Sequence, residues 1–260
     1  MTRQPDAEKR SRRPTGDDAR ERSLASTPDK EPRGDHPMST TTRARFRAAI
    51  VAIAPAVLLA AFVYHPYIAN LTDKAAVAAA LASDTTRWGF SHLAVGVGSG
   101  FTLLAFLAIR SYLREAGEER WSILALPFIV IGSTLFAFLP AMEIAMLAAA
   151  EEGADVQAVQ AAMDSWFFPI LLTGAITFAL GVHGFAMGIV GSGVLGPRLT
   201  WLVAGALVVV AAARFVPLGA ALYVGGAAAI VALWPLAYEM WKHPEAARPA
   251  GQPQAMPATS

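Results

Sequence analysis

Apolar residues in this chain gather into long runs separated by short polar breaks, and the runs are the first thing the sequence dictates. They cover about residues 46–67, 88–113, 121–148, 166–190, 201–216 and 220–241. A hydrocarbon layer of roughly 30 Å is crossed by about 20 such residues in helical form. Lipid offers no hydrogen bonds to a bare backbone, so each run is expected to be an α-helix that satisfies its own amides. The pattern predicts an all-α membrane protein of six transmembrane helices with short loops, occupying residues 46–241. Between the first two runs, Asn70-Leu71-Thr72-Asp73 supplies helix-capping residues. The Ala-rich stretch Lys74 to Ser83 after it predicts a short helix at the membrane surface. The first run is too long for a signal peptide, and no small-residue cleavage site follows it, so it is read as a retained span.

Composition sharpens this picture. The chain is 55% hydrophobic and 16% charged, with the charge crowded into the ends and loops. Residues 1–45 are rich in Arg, Asp, Glu and Pro and are expected to be a disordered tail, as are residues 242–260. The stretch beginning Met38-Ser-Thr-Thr-Thr-Arg also reads as a natural start, which would make residues 1–37 an upstream extension. Both charge signs mix in the tail, which argues against a nucleic-acid arm. Six spans put both termini on one side, together with Arg110, Arg114, Arg120, Arg198, Lys242 and Arg248. Lys74, Arg87 and Arg214 fall opposite. The positive-inside rule therefore places both termini in the cytoplasm of a multi-pass cell-membrane protein. Trp88, Trp121, Trp166, Trp201 and Trp241 mark helix ends, as an interfacial aromatic belt would. The chain has no cysteine, which removes disulfides, thiolate metal sites and cysteine nucleophiles.

Two features concern ancestry. Asp73 to Ser83 aligns without gaps with Asp155 to Ser165, and each stretch is followed closely by a Trp, the pattern of a duplicated helical hairpin. In addition, His65-Pro66 ends the first run, and the Ala-rich loop Asp73 to Ser83, Trp88 and His92-Leu93 follow. In these features residues 46–241 resemble a group of six-span bacterial membrane proteins common in actinobacteria. That group has no assigned activity, so the resemblance implies a fold and a membrane location and supplies no catalytic residues.

Candidate chemistry is sparse. Ionisable side chains are costly inside a span and are functional candidates for that reason. His65, His92, Glu143 and Arg214 are all expected near the outer ends of helices. They could form one polar pocket there, with Arg214 as the counter-charge of Glu143. Two imidazoles and a carboxylate suit a divalent metal; side chains splayed among headgroups are the plainer reading. His92 stands above Gly96 and Gly100 on one helix face, and His65 could oppose it across a haem. A helix-packing face explains the same glycines. His183, deep in the fourth run between Gly181 and Gly184, is expected to hydrogen-bond a neighbouring helix, with a place on a proton or substrate pathway as the alternative. Pro55, Pro127 and Pro169 are expected near helix starts, where proline is harmless. Pro140 is the exception and could free a carbonyl beside Glu143. No phosphate loop, metalloprotease motif or nucleophile elbow occurs, and no catalytic residue or resident cofactor is expected.

The reading is a non-enzymatic membrane component, a partner-binding or structural subunit. It would meet the lipid bilayer and either another membrane protein or further copies of itself through faces such as Gly96/Gly100 and Gly184/Gly188. The alternative is a small-molecule or ion carrier with an outward-facing pocket near His92 and Glu143. A haem- or metal-binding membrane protein is third.

Overall fold

The computed structural model describes residues 39–243, and every regular element among them is a helix. In chain order these are α1 Thr40–Tyr64, α2 Lys74–Ser83, α3 Thr85–Glu115, α4 Arg120–Glu151, α5 Val156–Ser192, α6 Pro197–Ala213 and α7 Gly219–Lys242. Five of them, α1, α3, α4, α5 and α7, are long and apolar enough to cross a membrane. The 17-residue α6 falls just short of that length, and α2 is much shorter. The apolar helices present large side chains outward all along their length, among them Phe46, Phe90, Leu124, Leu172, Leu202 and Val224. A helix that is hydrophobic all round needs lipid or protein on every side, so these exposed faces mark a multi-pass membrane protein.

The helices close into a ring. Helix α1 packs on α3 and α7, and the circuit continues α3 to α4, α4 to α5, α5 to α6 and α6 to α7. Helices α3 and α5 also meet across the middle. There Phe106 packs against Phe178 and Phe185, with ring centroids 6.1 and 4.9 Å away. The interior is thus filled with close-packed side chains. The α4–α5 interface is the most extensive, because glycines let the backbones approach. A Cβ on Gly132 would lie 2.6 Å from the Phe178 amide nitrogen, and one on Gly181 2.6 Å from Ile129 Cγ1.

Both ends of the ring are tied. At one end Asn70 pairs with Leu218 in a lone β-bridge, and the Lys74 ammonium on α2 pairs with the Asp164 carboxylate on α5. At the opposite end Arg47 pairs with Glu115 at 2.6 Å, and Glu118 accepts from the Trp121 amide at 2.6 Å, satisfying a free donor of the α4 N-terminus.

Several boundaries depart from expectation. Residues 40–45, expected in the disordered tail, form the first turns of α1, because the Ser39 side chain accepts from the Thr42 amide and starts the helix there. Pro55 consequently lies in the middle of α1, and Pro127 and Pro169 also lie inside helices rather than at their starts. The expectations for residues 1–38 and 244–260 lie outside the described residues. The aligned stretches share a cap but then diverge. Asp73 accepts from the Ala75 and Ala76 amides, and Asp155 from those of Gln157 and Ala158. After Ser83 the chain breaks at Asp84, whereas after Ser165 it runs on as one helix to Ser192.

Candidate functional site: a histidine–glutamate cluster beneath α2

Three of the four residues expected in a polar pocket do converge. Helix α1 ends at Tyr64, and His65 then leaves in an extended conformation that brings its ring back over α3. Its Nδ1 lies 2.6 Å from the Pro66 carbonyl oxygen. A carbonyl can only accept, so this nitrogen carries the hydrogen and Nε2 is left with the lone pair. Arg87 of α3 donates to the Tyr64 and His65 carbonyls, which have no partner within α1. A cation is favourable at a helix C-terminus, and Arg87 thus holds the chain end against α3.

One turn on, Trp88 and His92 lie on the same face of α3. The His92 and Trp88 rings are 4.4 Å apart, and the His92 and His65 rings 4.9 Å. His92 Nδ1 donates to the Trp88 carbonyl at 2.7 Å, so its Nε2 faces Glu143 Oε2 at 2.5 Å. An approach that close between a ring nitrogen and a carboxyl oxygen holds a proton between them. The pair is either imidazolium with carboxylate or imidazole with carboxylic acid, and in both it binds one proton and is neutral overall. The His92 side chain is 3% exposed and that of Glu143 27%. Trp88 closes the arrangement by donating its indole N–H to the Glu143 carbonyl at 3.3 Å. Above Trp88 lie Val77 and Leu81 of α2, with Ile68 and Met146 completing a small apolar cluster. His65 is half-buried, and burial first, then neighbouring His92, lowers its pKa below the ordinary histidine value.

The remaining expectations are corrected. Arg214 is not the partner of Glu143. Its guanidinium lies between the Phe136 and Phe178 rings, 3.9 and 3.8 Å from their centroids, and it forms no ion pair among the described residues. The aromatic faces, rather than a carboxylate, stabilise its charge by cation–π attraction. His183 does not bond a neighbouring helix. It lies on the exposed flank of α5 and makes no hydrogen bond among the described residues. Helix α5 turns its glycines inward instead. A Cβ on Gly184 would meet Ala125 at 2.7 Å, and one on Gly188 would meet Glu118 Oε2 at 2.9 Å. The Gly184/Gly188 face is therefore consumed by internal packing, while nothing lies within 4 Å of a Cβ on Gly100.

The geometry also bears on the group that could sit here. Axial ligands stand on opposite faces of a haem, and two imidazoles in contact leave no room for the macrocycle. Among the described residues no group of three His, Cys, Asp or Glu side chains is placed to hold a metal ion. What the cluster can do is bind and release protons. The role of Trp88 was not anticipated from the sequence, although its spacing of four residues from His92 places it about one helical turn away. At the opposite end a shallow, open depression is lined by Arg114, Gly117, Glu118, Glu119, Arg120 and Trp121 among others. Comparison with protein-family models, curated proteins and solved structures found no match to this chain.

Proposed function

We propose that the chain is a six-span protein of the cell membrane with both termini in the cytoplasm, and that it works as a non-enzymatic component that binds another membrane-embedded helix. Helix α6 is the sixth span in this reading: its 17 residues extend roughly 26 Å, and apolar Phe215 and Val216 prolong it. The single observation that carries the reading is His183. It lies on an outward stripe of α5 with Leu172, Ile176, Leu180 and Met187, nine residues before the helix ends at Ser192. An imidazole at that depth in hydrocarbon is without a hydrogen-bond partner, and a second helix would supply one. The filled interior of the ring favours an interaction role over a pore.

The test uses the absence of cysteine. Leu180→Cys or Met187→Cys is introduced singly, labelled with a benzophenone maleimide and irradiated in native membranes, with Val224→Cys on α7 as the control face. A crosslinked band specific to α5 supports the reading, and its mass separates a second copy from a different chain. Equal crosslinking from both faces, or none from α5, rejects it.

The carrier reading is retained on a different observation, the His92–Glu143 contact of 2.5 Å. It requires α2 to move and expose the pair. Reconstituted protein would then show solute-dependent proton uptake that Glu143→Gln abolishes.

A further inference from the structure

We propose that the His65–His92–Glu143 cluster is a proton-binding latch, closed at neutral pH, whose second proton enters at His65 and releases α2 from Trp88. The proposal goes beyond partner binding and does not depend on it. It starts from the hydrogen bonds. The His92–Glu143 pair already holds one proton, and its Nδ1–H is committed to the Trp88 carbonyl. His65 likewise commits Nδ1–H to the Pro66 carbonyl. Its Nε2 is therefore the site in the cluster that remains basic, and a proton added there makes His65 an imidazolium.

The surroundings make that cation unwelcome. Arg87 of α3 is already bonded to the Tyr64 and His65 carbonyls, and the His92 ring is 4.9 Å away. Against these stands one carboxylate, Glu143 of α4, which His92 already occupies. The other charged groups around this end are committed elsewhere. Asp84 accepts from the Arg87 amide, Asp73 caps α2, and Lys74 of α2 pairs with Asp164 of α5. A lone cation beside Arg87 in a partly dry site costs several times what it would in water.

Release of α2 follows from contacts. The chain leaves His65 and Pro66, buries Ile68 beside Trp88, and then enters α2, whose Val77 and Leu81 lie in the same cluster. The Trp88 ring touches both imidazoles, with centroids 5.3 Å from His65 and 4.4 Å from His92. Rotating His65 outward to hydrate its charge withdraws one wall of the Trp88 site. The sign is fixed by linkage. An open segment exposes His65 to water and binds its proton near about pH 6.5, whereas the closed cluster resists it. Closure is therefore favoured above that value and lost as pH falls below it, by up to about tenfold in the opening equilibrium per pH unit.

The chain's lack of cysteine makes the test direct. Val77→Cys is buried against the cluster and Ala79→Cys is exposed on the same helix. Each full-length variant in lipid nanodiscs is labelled with a membrane-impermeant maleimide at about pH 7.5 and about pH 5.5. The ratio of the two rates cancels the thiol's own titration. The ratio is expected to rise about tenfold on acidification. In His65→Asn, whose amide N–H can still bond the Pro66 carbonyl, it is expected to stay flat. A flat ratio with His65 intact, or an equal rise in His65→Asn, overturns the proposal. If His65→Asn is not monodisperse, His65→Gln takes its place, and the ratio with His65 intact still decides against the latch when it is flat.

Discussion

At the level of single residues, charge in this molecule is accommodated by unlike means. Glu143 is met by an imidazole and a shared proton, while Arg214 is met by the faces of two phenylalanines. The Arg214 arrangement makes a sharp prediction. A desolvated guanidinium over an aromatic ring contributes about 2 kcal/mol, and Gln has neither the charge nor the planar fork to replace it. Arg214→Gln is expected to lower thermal stability in detergent by about that amount. Glu143→Gln in the Arg214→Gln background is expected to add its own effect in full, since the two side chains do not touch. Non-additivity in that double-mutant cycle would restore the pairing expected from sequence.

At the level of elements, the α4–α5 contact depends on the absence of side chains. A methyl group on Gly132 would lie 2.6 Å from the Phe178 amide nitrogen and 2.7 Å from its Cα, and backbone cannot swing aside. Gly132→Ala is therefore expected to cost about 1–3 kcal/mol, as overpacking does. Gly100→Ala, with nothing within 4 Å of the new carbon, is expected to be neutral or slightly stabilising, because alanine is the better helix former. Chemical denaturation of the two variants side by side separates these outcomes. If both behave alike, close approach of the helices is not what glycine provides at position 132.

At the level of the whole molecule, the described loops sort into two sets. The α1–α3 connection and the α6–α7 turn are joined by the Asn70–Leu218 bridge, and Asp164 near the α4–α5 turn pairs with Lys74. The α3–α4 loop lies at the other end, where Glu115 meets Arg47 of α1. Reporter fusions after Ala116 and after Asp155 are expected on opposite sides of the membrane, with the first cytoplasmic. Finding both on one side would remove the proposed topology.

Much of this architecture was legible in the linear pattern. Twenty apolar residues in a row have few stable conformations in lipid, so the positions of the spans follow from hydropathy and backbone satisfaction alone. Asp73 announced a helix start because capping is a contact within one turn, whereas the cap at Asp155 went unread and the helix it opens begins at Val156, ahead of the expected residue 166. Helix ends were less legible: Thr40 to Arg45 is polar, yet Ser39 caps it into α1. The direction of side chains was not legible at all. His65 and His92 are 27 positions apart and Glu143 a further 51, and only the folding of three elements onto one another brings their rings and carboxyl group together. Arg214 and His183 were misplaced for the same reason. A run that is apolar on every face carries no periodic signal of which side looks inward, so position along a helix could be read from sequence while orientation waited for the packing of neighbouring helices.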